Sequence, residues 1–289
     1  MNYIYFAWIT AIFYSASGLV GKFAANHKLK NQWLYSFVWS FVMVILSCAA
    51  ALYFGFGWPT HWGSIIIAGA FSALTALMYT FAIYMMDVSV LSSLYSFRAP
   101  MSVLLGALFF KESLSLYQLF LIGILTIGGM AVSMDEKMSV RSFFRKPVAF
   151  ALVLILLSAI YNALVKNAAS LNPYWTTVFW YNLFNQVFLL PTIPFFWKEL
   201  PKIKLSDYTH VAMSAVLAGI GGLTIISAIT GNLGITMAIL TLPLTLISAM
   251  ILSHFAPNLL EYHTKKVYAI RLVAAVVMFA AALGLSNKI

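Results

Sequence analysis

Arg98 is the residue whose placement demands chemistry. It lies about eleven residues into an apolar stretch that runs from Val88 to Phe110. If that stretch crosses a bilayer, the guanidinium sits near its middle, where a charge costs on the order of 2.5–3.5 kcal/mol. A carboxylate would be the natural compensation, but Asp87, Glu112, Asp135, Glu136, Glu199, Asp207 and Glu261 all fall at the ends of apolar stretches or between them. Along a helix Asp87 is roughly 16 Å from Arg98, too far for an ion pair. The planar guanidinium matches a carboxylate or a phosphate bidentately and stays charged at physiological pH, so an anionic ligand would supply the missing countercharge. The competing reading leaves Arg98 in a water-filled cavity, satisfied by carbonyls and hydroxyls, with no part in binding. Pro100 should free a backbone carbonyl near the same level and kink the helix there.

A second polar feature is the stripe Asn182, Asn185 and Gln186, spaced i, i+3 and i+4 on one helix face. Buried amides of this kind either join helices or line a path through them. Tyr14, Tyr79, Tyr95, Tyr161 and Asn162 fall well inside their own apolar stretches, with Ser17 and Thr75. The four tyrosines and Asn162, with Arg98 and the stripe Asn182, Asn185 and Gln186, are the expected substrate-binding set. Trp39 and Trp180 are its expected apolar walls, although membrane tryptophans commonly mark the interface. Lys22 and Lys166 each close a helix, where long cationic side chains reach back to water and favour the C-terminal dipole.

No acid or histidine falls in the middle of an apolar stretch: His27, His61, His210, His254 and His263 are all at ends or in connections. That disfavours a direct proton relay. It also leaves no paired carboxylates, zinc-type ligand cluster or histidine-assisted nucleophile, so the expectation is no enzyme, no metal and no cofactor. Cys48 is the single cysteine, which excludes an internal disulfide and reads as a small core residue.

The elements that must position these residues follow from composition. Of 289 residues 63% are hydrophobic and 8% charged, with a mean hydropathy of +0.94; that leaves too little polar surface for a water-soluble globule. The pattern predicts spans at 3–26, 32–54, 62–86, 88–110, 114–134, 149–170, 173–197, 208–230, 233–255 and 265–286. The formal charge of +10 sits in short connections between spans, so it reads as membrane topology rather than nucleic-acid binding. The polar stretch DEKMSVRSFFRK separates two groups of five spans, giving a first repeat at 1–134, a linker at 135–148 and a second repeat at 149–289. The groups echo one another. GLVGKFAA from Gly18, followed by Trp33 and Trp39, parallels NALVKNAA from Asn162, followed by Trp175 and Trp180. Pro100 in span four similarly answers Pro243 in span nine. Because five is odd, the second group must insert upside down relative to the first, and such inverted repeats place a substrate site where they meet near the midplane. The expected fold class is an all-α membrane protein of ten transmembrane helices in two inverted five-helix repeats.

Ten spans in two fives, a lysine closing the first helix, and a fourth span running from Pro100 through apolar residues to Lys111-Glu112-Ser113-Leu114 resemble the EamA branch of the drug/metabolite transporter superfamily. The opening MNYIYFAW with Lys22 also resembles the four-helix small multidrug exporters of that superfamily. Those exporters use a carboxylate in the first helix, where this chain has Tyr14, Ser15 and Ser17; proton-for-cation exchange of that type is therefore disfavoured. The second half has Ser253-His254-Phe255 where the first has Glu112.

The expected function is a multi-pass carrier in a plasma or bacterial inner membrane. It would work by alternating access on a small organic metabolite bearing a carboxylate or phosphate, such as an amino acid or related compound. The expected partners are that small molecule and the lipid bilayer, with the chain a monomer or homodimer and no nucleic acid bound. The rivals are an exporter of neutral or cationic hydrophobic compounds and a non-transporting scaffold or sensor. On orientation, Lys22, Lys28, Lys30, Lys137, Arg141, Arg145, Lys146, Lys198, Lys202, Lys204, Lys265 and Lys266 lie on the side away from the termini, and Lys111, Lys166 and Lys288 on the terminal side. This imbalance favours outward termini, whereas the resemblance implies cytoplasmic ones.

Overall fold

The computed structural model describes residues 3–86, 91, 94–133, 146–202, 204–242, 244 and 265–287. Among the described residues ten α-helices follow one another: α1 (Tyr3–His27), α2 (Gln32–Phe54), α3 (Trp62–Met85), α4 (Arg98–Phe110), α5 (Leu116–Ser133), α6 (Lys146–Leu171), α7 (Tyr174–Leu189), α8 (Leu205–Gly231), α9 (Leu233–Leu240) and α10 (Lys265–Asn287). Among the described residues there is no strand. Most of the expected linker, Pro243 and the later part of the ninth span lie outside the described residues.

The helix boundaries follow local chemistry. The side chain of Asn31 accepts from the amides of Trp33 and Leu34 and so starts α2; Gly55, at φ 85°, ends it. Asn232 plays the same part for α9, its side chain accepting from the Ile235 amide at 2.8 Å. After α4 the chain turns at Lys111, the one non-glycine residue with positive φ (52°) among the described residues, and the Glu112 amide donates back to Gly106 O.

α1, α2, α3, α6 and most of α8 are each long and apolar enough to cross a membrane. The other expected spans are shorter or interrupted, and their interruptions are informative. Span four is not one continuous helix: a 3-10 turn at Tyr95–Phe97 comes first, and α4 begins only at Arg98. Pro100 is therefore the third residue of α4, inside the first turn, where a missing N–H costs no intrahelical bond. It helps start a helix, which corrects the expectation that it kinks one. In the ninth span α9 stops after eight residues at Leu240, and Thr241 and Leu242 form a turn directly ahead of Pro243. α7 tightens at Leu190–Phe195 into 3-10 geometry, where Pro191 and Pro194 withhold two donors.

Packing pairs the two groups of helices reciprocally. α1 lies on α8 as α6 lies on α3, and α2 contacts α8 as α7 contacts α3; α1 meets α9 as α6 meets α4. The remaining large contacts are between equivalent helices, α2 with α7, α4 with α9, and α5 with α10. Small residues permit the closest of these approaches. A Cβ on Gly69 would lie 2.5 Å from Phe184 Cβ, and one on Gly221 2.7 Å from the Tyr14 ring. Gly128 and Gly219 are equally confined, by Met278 and Leu46, whereas Gly123 faces open space and is no packing glycine. The start of α1 meets the end of α8, since Tyr3 packs on Gly231. We call this end of the bundle, which also holds the ends of α4 and α6, the terminal face.

Candidate binding cavity

A cavity of about 250 Å³ lies at mid-depth in the bundle, lined by α1, α2, α3, α4, α6, α7 and α8 and by the two interruptions just described. Leu91, Tyr95 and Arg98 come from one interruption, Leu240 and Leu242 from the other. Breaking both helices at this level gives the cavity walls of irregular backbone, which membrane proteins tolerate where it faces protein or a cavity.

Arg98 is 8% exposed and opens α4. The first turn of a helix is the unfavourable end for a cation, so the dipole adds to the cost of burial. Its described partners are weak. Nη1 donates to Ser158 Oγ at 3.4 Å, Cζ lies 5.1 Å from the Tyr95 ring centroid, and Nε has no partner among the described residues. No carboxylate stands among the described residues that line the cavity. What surrounds the guanidinium is tyrosine: Tyr14, Tyr79 and Tyr95 all line the same space, with Tyr79 and Tyr95 in edge contact at 6.3 Å between centroids.

The amides line the same cavity. Asn162 Nδ2 donates to Ser158 O at 2.6 Å and Asn182 Nδ2 to Val178 O at 2.8 Å. Each amide spends a donor on its own helix, which fixes the other end as an acceptor. Asn185 is 3% exposed and its Oδ1 has no partner among the described residues. Ser17 and Thr75 also line the cavity, but both are engaged in structure. Ser17 Oγ donates to Ser214 O at 2.8 Å and ties α1 to α8, and Thr75 Oγ1 donates to Phe71 O within α3. The cavity thus presents a fixed cation, amide acceptors and aromatic walls.

Nine of the eleven residues expected in the site line this one space: Arg98, Tyr95, Tyr14, Tyr79, Tyr161, Asn162, Asn182, Asn185 and Trp39. Gln186 and Trp180 do not. Gln186 is buried away from the lining, with neither amide atom partnered among the described residues. Trp180 lies toward the start of α7, where its Nε1 donates to Gly57 O at 3.0 Å and its ring packs on Trp58 and Trp62. A cluster of this kind suits the membrane interface. Sequence reasoning missed Tyr35, Ser158 and Tyr181. Ser158 was legible, one turn before Asn162 on the same face. Tyr35 was not, because a tyrosine near a helix start reads as an interface residue.

The lysines also depart from expectation. Lys22 and Lys166 are 9% and 8% exposed and point into the bundle rather than out to water. Lys22 Nζ donates to Ile83 O at 2.7 Å and Met86 O at 2.9 Å, at the C-terminal end of α3. Lys166 forms an ion pair with Glu112 and also donates to Thr230 O, at the C-terminal end of α8. Each cation does meet a helix C-terminus, but that of the neighbouring helix it packs near, not its own.

Residues 1–134 match the model of the EamA-like transporter family. No curated protein matches the chain. Among solved structures, one titled "Crystal structure of protein" is similar with a TM-score of 0.74 at 11% identity, over 99% of this chain and 96% of the other. At that identity the likeness concerns the fold.

Proposed function

From the match of residues 1–134 to the EamA-like transporter family of the drug/metabolite transporters, we propose that the chain is a ten-helix carrier of two inverted five-helix repeats. In this reading it moves a small organic anion, a carboxylate or phosphate, with Arg98 as the anchor. The match to that family supports a multi-pass membrane protein that transports small molecules. The repeat reading is supported by the reciprocal helix contacts and by the paired interruptions ahead of Pro100 and Pro243. Repeats at 1–134 and 149–289 would then meet at the cavity, near the membrane midplane.

The observation that carries the substrate class is a buried guanidinium with, among the described residues, one long hydrogen bond and no carboxylate in its cavity. An anion there is paired on arrival and recovers much of the burial cost of the charge. The amide oxygens of Asn162, Asn182 and Asn185 favour a ligand that also carries hydrogen-bond donors, and the tyrosine rings favour one with an apolar or aromatic portion. An amino acid or related compound combines these features within about 250 Å³. Rocking of the repeats about the cavity needs no titrating group, so facilitated diffusion or exchange suffices.

The test is a thermal-shift screen of the purified protein against anionic, zwitterionic, neutral and cationic metabolites, repeated with Arg98→Ala, since a ligand stabilises the folded state by mass action. Stabilisation by carboxylates or phosphates that disappears in Arg98→Ala is the expected result. Equal stabilisation of both proteins, or none by any anion, overturns the anchor and favours an exporter of hydrophobic compounds.

A further inference from the structure

Glu112 and Lys166 form an ion pair inside the bundle that ligand binding at Arg98 does not use. Glu112 follows α4, and the left-handed turn at Lys111 carries its side chain back over Gly106, where an added Cβ would come within 2.5 Å of Oε2. L-residues adopt that left-handed conformation reluctantly, and the turn is what aims the carboxylate. Oε1 accepts from Lys166 and from the Leu233 amide at 2.9 Å; Oε2 accepts from the Gly234 amide at 3.4 Å. Lys166 Nζ also reaches Thr230 O at 3.4 Å and stands 5.0 Å from the Phe110 ring centroid. One carboxylate and one ammonium therefore hold together the end of α4, the body of α6, the end of α8 and the start of α9.

Position along the helices gives this cluster a purpose. Lys166 is four residues beyond Asn162, which lines the cavity, so the pair sits about 6 Å, one helix turn, beyond it toward the terminal face. At the opposite end Lys22 is four residues beyond Gly18, another lining residue, and binds the end of α3. The cavity is thus bounded by a lysine one turn away in each direction, and each lysine holds the third helix of its own half.

The geometry points to the Glu112–Lys166 pair as the latch that closes the cavity to the terminal face, with Lys22 closing the opposite one. This rests on the carrier reading above. A solute leaving by the terminal face must pass the cluster, and α4 and α9 cannot separate from α6 and α8 there while it is intact. Opening releases the pair to water, where the two charges are solvated again. The latch biases the two-state equilibrium toward the form closed at the terminal face.

The test reads access to the cavity from each side. In a Cys48→Ser background, Ala11→Cys places a thiol in the lining, and a membrane-impermeant maleimide is applied to right-side-out and inverted vesicles. His61→Cys and Lys30→Cys mark the two faces. Glu112→Gln and Lys166→Met are each expected to raise labelling from the terminal face by about tenfold or more, as removal of one partner of a buried pair implies. Lys22→Met is expected to shift labelling the other way, and Lys166→Arg to behave like the parent. If Glu112→Gln does not fold, the three lysine variants carry the comparison. Unchanged labelling, or a rise of equal size from both faces, overturns the latch while leaving the carrier intact. A thiol that reacts from neither side in any variant overturns both.

Discussion

Replacing Arg98 with methionine should stabilise the empty protein and abolish its response to anions. Methionine is close in length, apolar and flexible enough to fill an irregular wall. A charge near the bilayer centre costs about 2.5–3.5 kcal/mol. Against that, the hydrogen bond to Ser158 is 3.4 Å long and contributes well under about 1 kcal/mol, and the approach to the Tyr95 ring at 5.1 Å contributes about 0.5–2 kcal/mol. The difference leaves roughly 1–2 kcal/mol of uncompensated cost, which Arg98→Met removes. At roughly 2–4 °C per kcal/mol for a chain approaching this size, the melting temperature of the ligand-free protein should rise by a few degrees. The assay is thermal unfolding in detergent, with and without a saturating carboxylate or phosphate that shifts the native protein. The opposed directions make the test sharp, because a purely structural arginine would leave the variant less stable. A fall in the melting temperature of ligand-free Arg98→Met, or an anion shift of native size in that variant, would refute the reasoning.

Other perturbations separate the cavity from its frame. Ser158→Ala removes the hydroxyl that accepts from Arg98 and should weaken anion affinity by about three- to tenfold in a thermal-shift titration while leaving the fold intact. Trp180→Phe, outside the cavity and packed on Trp58 and Trp62, should leave that affinity within about twofold in the same titration, since only peripheral packing changes. Gly69→Ala places a Cβ 2.5 Å from Phe184 and 3.1 Å from a backbone oxygen. It should cost about 1–3 kcal/mol, visible as a lower melting temperature. Asn232→Ala removes the side-chain cap of α9 and should cost about 1 kcal/mol by the same measurement.

Most of the site was legible because polar groups are conspicuous in a membrane sequence. Arg98, the tyrosines and the asparagines stand out against an apolar background, and helical spacing put Asn182 and Asn185 on one face. Spacing could not tell Asn185 from Gln186, which share that face, because the edge of a cavity falls between neighbouring side chains according to how α7 is rotated. Trp180 fails for a related reason. An indole is equally at home in a wall or at an interface, and the connection carrying Gly57 and Trp58, which captures it, is contributed by a distant part of the chain. The interruption at Tyr95–Phe97 was also hidden, since Pro100 reads equally well as a kink within a helix or as part of its first turn.

The lysines show where the limit of sequence reading lies. A cation at the end of an apolar helix favours a helix C-terminus and needs a polar exit, and both statements hold for Lys22 and Lys166. What the sequence does not state is which C-terminus is within reach. α6 packs on α3 and contacts α8, and the Lys166 ammonium reaches the last carbonyls of α8 before it reaches water. Once it is held there, leaving it without an anion would be costly, and Glu112 is brought to it by the left-handed turn at Lys111. The burial of both lysines one turn from the cavity is thus a consequence of packing the two halves against each other. The same packing leaves Arg98 without a described carboxylate. The Glu112 carboxylate is committed to Lys166 and to the first amides of α9, so it does not serve the guanidinium of Arg98.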